Sequence, residues 1–188
     1  MNIEHQTSNI KLTLKAWPVI AIATIGLCYL TQTVAKSFGI ELPDQENIEI
    51  VKRYAGWNWS FALLCVQVLV LMPAVEEIIF RWLLWRLPMR TLDKRQKTKD
   101  WAGSETEDLR HRQLKLTAVG AIVASALFSA AHYIAQPWPD AAFLALFFFG
   151  LAQCWLYAKT DRIWCAMLNH GLFNLTNLIL LFVLPESA

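Results

Sequence analysis

Five long apolar stretches run along the chain, separated by polar segments. They cover about Ala16 to Ala35, Trp57-Asn58-Trp59 through Val75 towards Leu87, Leu116 to Ala135, Ala141 to Ala158, and Ile163 to Leu184. Each approaches or exceeds the roughly 20 residues that cross a hydrocarbon core. Lipid offers the backbone no hydrogen bonds, so each stretch must satisfy its own as a helix. The alternating pattern of an outer-membrane barrel strand is absent. The pattern predicts an all-α protein, a polytopic transmembrane bundle of about five spans. The second stretch is too long for one upright helix. Pro73 within it removes the N–H that would bond the Leu69 carbonyl, so a bend is expected three residues before Glu76.

Composition agrees with the pattern. Of the 188 residues, 56% are hydrophobic, where a soluble domain has about 45–50%. Nine tryptophans in so short a chain suit a protein with two lipid–water boundaries. The four cysteines, Cys28, Cys65, Cys154 and Cys165, all lie in apolar runs, and none forms a C-x-x-C pair. They read as packed free thiols rather than a disulfide or a metal site. The length suits one domain over residues 1–188, without repeats or low-complexity tracts. Residues 1–56 would form an N-terminal anchor helix and an outer loop, and 57–184 the core of the bundle with its basic loop 86–115.

The net charge of +2 hides a strongly uneven distribution. The segment from Arg86 to Lys115 carries nine Lys and Arg: Arg86, Arg90, Lys94, Arg95, Lys97, Lys99, Arg110, Arg112 and Lys115. Lys11 and Lys15 precede the first span, and Lys159 and Arg162 lie between the fourth and fifth. If these segments face the cytoplasm, 13 Lys and Arg lie inside, against Lys36, Lys52 and Arg53 outside. The positive-inside rule then places the N-terminus in the cytoplasm and the C-terminus outside; the membrane expected is a bacterial inner (plasma) membrane. A cleaved signal peptide ending at Thr33-Val34-Ala35 is the weaker reading, since further spans follow. Loop 86–115 reads as a basic cytoplasmic anchor touching lipid headgroups, mobile or a short surface helix. Its interleaved acids, and the lack of any nucleic-acid motif, argue against a nucleic-acid partner.

Within the spans, three polar sets recur at four-residue spacing: Glu76-Glu77-x-x-x-Arg81, Phe128-x-x-x-His132 and His170-x-x-x-Asn174. Residues four apart share a helix face, so Glu77 can pair with Arg81. Glu76 then remains a spare carboxylate. Charges at this depth are expensive and tend to be functional. Alone, each set has a plain structural reading: a neutralising ion pair, a helix–helix hydrogen bond, or packing for Phe128. Together, two histidines, an asparagine and a spare carboxylate are a costly collection to bury for packing.

These groups suit water activation. A carboxylate held out of bulk water is a competent base, and a neighbouring histidine can hold or share the proton. A second histidine and an amide can donate to the oxyanion formed when water adds to a carbonyl. No G-x-S-x-G elbow occurs, and no cysteine has a positioned base, so a covalent intermediate is not expected. Zinc is a rival, since Glu and His are both ligands. Neither H-E-x-x-H nor H-x-x-E-H occurs, however, and Asn is a poor zinc ligand, so no cofactor is called for.

At these residues the chain resembles a known family. Glu76-Glu77-Ile78-Ile79-Phe80-Arg81, Phe128-Ser129-Ala130-Ala131-His132 and His170-Gly171-Leu172-Phe173-Asn174 resemble the E-E-x-x-x-R, F-x-x-x-H and H-x-x-x-N motifs of the CAAX protease and bacteriocin-processing (CPBP, or Abi) family of intramembrane endopeptidases. The resemblance covers about Trp57 to Leu184, with the motifs in the family's order and one span between the second and third. It implies a four-helix catalytic core and a glutamate-type protease. Glu76 with His132 would activate water, His170 and Asn174 would stabilise the oxyanion, and Glu77, Arg81 and Phe128 would shape the site. The substrate would be a protein or peptide in or at the membrane. Only one helix precedes the core, where the eukaryotic CAAX endopeptidases have several. C-terminal sorting tails or secreted peptides are therefore the better expectation than prenylated CAAX proteins.

Two readings from other classes compete. One is a non-catalytic membrane protein of the same fold, such as a bacteriocin-immunity or scaffold protein, against which the intact Glu76, His132 and His170 argue. The other is a proton-coupled transporter, which usually needs paired repeats that the chain lacks.

Overall fold

In the computed structural model, the residues described are 3–40, 42, 51, 53–54, 56, 58–91, 107–133 and 141–183. All regular structure among them is helical. Five helices are long and apolar enough to cross a membrane. They are α1 (Ile3–Ser37), α2 (Trp59–Thr91), α3 (Glu107–Ala131), α4 (Ala142–Thr160) and α5 (Ile163–Val183). Each expected span falls on one of them. Helices α1 and α3 begin well before the expected boundaries, at Ile3 and Glu107, α2 runs four residues past Leu87, and α3 stops at Ala131, so His132 lies in the turn that ends it. Trp57, Ala135, Leu184 and most of the basic loop, 92–106, lie outside the described residues. That loop's character is seen only at its ends, where helix runs to Thr91 and resumes at Glu107.

The distribution of side chains is the reverse of a soluble protein's. Val19, Ile22, Leu63 and Val183 each expose about two thirds or more of their surface, while Glu77, Arg81, Gln153 and Asn169 are fully buried. A contiguous apolar exterior of this extent has no stable place in water. Around a polar interior it is the arrangement lipid demands, and the chain is an integral membrane protein.

Packing places α4 at the centre. It lies against α1, α3 and α5, and α2 closes the bundle by packing on α3 and α5. Small residues allow the close approaches. A Cβ on Gly150 would meet the Ser125 side chain at 2.9 Å, so α3 and α4 touch nearly backbone to backbone. Ile20 and Ala21 of α1 join Phe128, Phe149 and Phe173 in one apolar cluster, which makes α1 a wall of the core.

Helix α2 is irregular. Asn58 caps its start, accepting the Phe61 N–H at 2.8 Å. Wider π-helical turns occupy Gln67–Leu71 and Ile78–Arg86, on either side of the α-helical turn Met72–Glu77 that carries Pro73 and both glutamates. Insertions of this kind gather at functional sites. Pro73 explains the first. It offers no N–H to the Leu69 carbonyl in α register, nor to the Val68 carbonyl in π register. The bend expected at this proline therefore takes the form of a re-registered turn.

The opposite end of α2 is tied to the α4–α5 turn. Arg86 and Arg90, one turn apart, both donate to Asp161 Oδ1, at 2.7 and 2.8 Å. Asp161 ends α4 in the left-handed region at φ 48°. Asn9 of α1 reaches the Thr160 carbonyl at 3.4 Å. The ends of all three basic segments thus meet at one face of the bundle.

Candidate active site

The site lies in the middle of the bundle. Glu76 is ten residues above Arg86, about 15 Å of helix, and His170 is nine above Asp161, about 13 Å. Half of a hydrocarbon core is about 15 Å thick.

Four side chains form a continuous polar chain there. Arg81 Nε lies 3.3 Å from Glu77 Oε2, with both side chains fully buried. This is the ion pair that the four-residue spacing predicts, close enough for strong charge attraction but not aligned as a hydrogen bond. The other Glu77 oxygen, Oε1, lies 2.9 Å from His170 Nδ1 on α5. A carboxylate paired with an arginine only accepts, so the Nδ1 hydrogen points at Glu77. That leaves Nε2 facing Glu76 Oε2, 3.5 Å away. Glu76 keeps 17% of its side chain exposed, whereas Glu77 has none. The two adjacent carboxylates thus differ in kind: Glu77 is inside and committed to two partners, and Glu76 is at the edge and reachable.

Phe128 is the hub of the aromatic packing. Its ring is fully buried and carries the Arg81 guanidinium carbon over its face, 4.1 Å from the centroid. A desolvated cation over a ring face is worth about 2 kcal/mol. The Phe80, His132 and His170 rings meet it edge-on, with centroids at 5.5, 4.6 and 5.9 Å. Both histidines therefore pack on the same ring. His132 Nδ1 bonds the Phe128 carbonyl at 2.8 Å, which orients the imidazole back over the last turn of α3. Among the described residues no hydrogen bond or ion pair joins His132 to Glu76. The imidazole in contact with Glu76 is that of His170.

Asn174 sits one turn beyond His170, and its Nδ2 donates to the Val68 carbonyl at 2.8 Å. It supplies a hydrogen that Pro73 withholds. At the same level a Cβ on Gly171 would collide with the Leu69 carbonyl oxygen. Glycine at 171 thus allows the bulged backbone of α2 to lie directly on α5. One of Asn174's two N–H groups is committed to this joint.

Two residues of the site escape a reading by motif. Gln153 Nε2 donates to Asn169 Oδ1 at 2.9 Å, joining α4 to α5 immediately beside His170, and both side chains are fully buried. A polar residue in mid-span is the signal that could have found them.

Among the described residues, no group of three or more His, Cys, Asp and Glu side chains is arranged to hold a metal ion. A hollow of about 630 Å³ lies between the start of α2 and the end of α5, lined by Gly56, Asn58, Trp59, Phe61, Ala62 and Phe182. Among the described residues that line it there is no acid, base or nucleophile.

No curated protein and no solved structure matches the chain. A family model does: that of the type II CAAX prenyl endopeptidase Rce1-like proteins, over residues 58–176, well over half of the sequence and spanning all three motifs. The chain belongs to the Rce1-like family of CAAX-type intramembrane proteases.

Proposed function

We propose that the protein is an endopeptidase that hydrolyses a peptide bond of a membrane-associated protein with a water activated by Glu76. The buried Glu76–His170–Glu77–Arg81 chain is the observation that carries this reading. Glu76 is the one carboxylate of the set with an exposed edge, and an imidazole lies beside it to take a proton. Glu76 removes a proton from water, and the hydroxide oxygen bonds to the carbonyl carbon. The proton, shared with His170 Nε2, passes to the amide nitrogen as the C–N bond breaks. Glu77, held by Arg81, keeps His170 in the tautomer and orientation this needs.

The developing oxyanion requires donors that are not already committed. Both His170 nitrogens face carboxylates, so this role falls to the second N–H of Asn174 and to His132, whose Nδ1–H is held by the Phe128 carbonyl and whose Nε2 donates when the ring carries both protons. His132 and His170 thereby exchange the parts that the motif resemblance implies. Their shared contact with Phe128 keeps the two rings close together.

The meeting of the basic segments at the Arg86–Asp161 end supports a cytoplasmic N-terminus in a bacterial inner membrane. The test is mass spectrometry of membrane and secreted proteins from cells carrying the wild type or Glu76→Gln. A protein terminus that appears only with Glu76 intact identifies substrate and reaction together. Identical termini in both would end the hydrolase reading.

A further inference from the structure

Burial is uneven about the layer that holds Glu76 and His170. Between that layer and the Arg86–Asp161 end, Trp85, Ser125, Cys154, Leu156, Cys165 and Ala166 expose at most 2% each. They come from α2, α3, α4 and α5, so side chains of four helices close that half of the bundle. The other half is looser. Among the described residues, none of α2 from Trp59 to Leu71 is buried, none of α5 beyond Phe173, and none of α1 beyond Thr24. Central α4 alone keeps a covered start, at Ala142 and Ala145. Helix α3 packs on α2 along Ile78–Arg86, whereas Gln67–Leu71 and Met72–Glu77 lean on α5. Leu71, Met72 and Val75, just before Glu76, are exposed.

The partly exposed edge of Glu76 lies at the boundary between the two halves. An ionisable group at membrane depth faces protein or a water-filled cavity rather than acyl chains. Packing denies that edge water from the Arg86–Asp161 end. A polar line on α5 marks the other direction. Asn174 and Asn177 follow His170 by four and seven residues, so the three share a face. His170 is buried, Asn174 partly buried and Asn177 exposed, so the line opens as it leaves the site. Towards the Arg86–Asp161 end the same face carries Ala166 and Ile163, which pack in the apolar cluster around Trp85.

We infer that the site opens away from the Arg86–Asp161 end, along the His170–Asn174–Asn177 face of α5, and receives its substrate from that side of the membrane. This deepens the hydrolase reading and rests on it for the existence of a substrate. With the basic end in the cytoplasm, the substrate is a translocated protein that meets the enzyme from outside, not a cytosolic one.

Single cysteines in the full chain test the opening without any substrate. Met72→Cys lies one helical turn before Glu76, His132→Cys lies in the turn that ends α3, and Thr91→Cys marks the basic end. A charged, membrane-impermeant methanethiosulfonate is added to sealed membrane vesicles, right side out or inside out. Labelling is counted above that of the wild type, which has four free cysteines of its own. Met72→Cys and His132→Cys are expected to label from the face opposite to the one that labels Thr91→Cys. Labelling from the Thr91 face, from both faces or from neither overturns the inference. Either of the two site positions decides the matter if the other variant fails to insert. A protein terminus that depends on Glu76 gives a second readout, and it should belong to a translocated protein. Such a terminus on a cytosolic protein would keep hydrolysis and overturn the side of entry. Identical termini in wild type and Glu76→Gln, with labelling from the opposite face, would end the hydrolase reading and keep the opening.

Discussion

Glu77 and His170 are joined across α2 and α5 by a 2.9 Å contact between Oε1 and Nδ1, 93 residues apart in sequence. This contact ties the double-glutamate motif to the H-x-x-x-N motif. It also separates the roles of two adjacent carboxylates, because the one that holds the imidazole cannot also lie open to a substrate.

Loss of Glu76 or His170 is expected to abolish peptide cleavage with the fold intact. Glu76→Gln should melt near the wild type in detergent and show no turnover, and His170→Asn should be folded but less stable, because Glu77 Oε1 loses its partner, and equally without turnover. His132→Ala should retain activity, slowed by about 10²–10³-fold, as for loss of an oxyanion donor. Complete inactivity of His132→Ala with residual turnover in His170→Asn would reverse the two assignments.

Arg81 is a stability residue first. Its removal leaves Glu77 buried without its cation, a change that typically costs about 3–5 kcal/mol. Arg81→Met should lower the melting temperature sharply. Arg81→Lys should restore little, because an ammonium does not reproduce the planar stack on Phe128. Removing both charges, Glu77→Gln with Arg81→Met, should recover much of the stability and none of the activity. Recovery by the lysine variant alone would show that charge is all the site requires.

The joint between α2 and α5 makes a separate prediction. Asn174→Leu strands the Val68 carbonyl, at about 1–3 kcal/mol. Gly171→Ala forces the two backbones apart by pushing on the Leu69 carbonyl. Both variants should lose thermal stability, and both should lose activity by moving Glu76 away from His170. A fully active Gly171→Ala would mean that the close approach has no part in the site.

Asp161 gives the pH dependence. Partial burial pushes its carboxyl up, but hydrogen bonds from Arg86 and Arg90 outweigh this and hold it below the usual carboxylate range. A lowered folded value means that the contribution is present above the unfolded value, near 3.9, and is lost as pH falls through the folded one. The α2 end should therefore detach from the α4–α5 turn only in acid, below about pH 4. High salt should weaken the link at neutral pH, since the carboxylate is more than half exposed. Asp161→Asn tolerates the left-handed backbone. It should abolish the acid transition in a hydrogen-exchange measurement on residues 83–91. A transition that persists in Asp161→Asn would assign it to another group.

Much of the architecture was legible in the order of residues. Five apolar runs give five helices because lipid leaves the backbone no alternative, and the Glu77–Arg81 pair follows from the helical period. Proline at 73 marks an interruption, although its form as a π turn depends on the neighbour that satisfies the freed carbonyl. What the order of residues cannot decide is which imidazole meets Glu76. A four-residue spacing says that His132 follows Phe128 by one turn. It does not say that α3 stops at Ala131 and folds the ring back onto its own helix. Nor does a motif reveal that Asn174 completes a distant backbone, or that Gln153 and Asn169 face each other across α4 and α5. Those contacts depend on helix rotation and approach. Packing sets both, through glycines 150 and 171 and the irregular turns of α2, and such long-range relations have no periodic trace in one dimension.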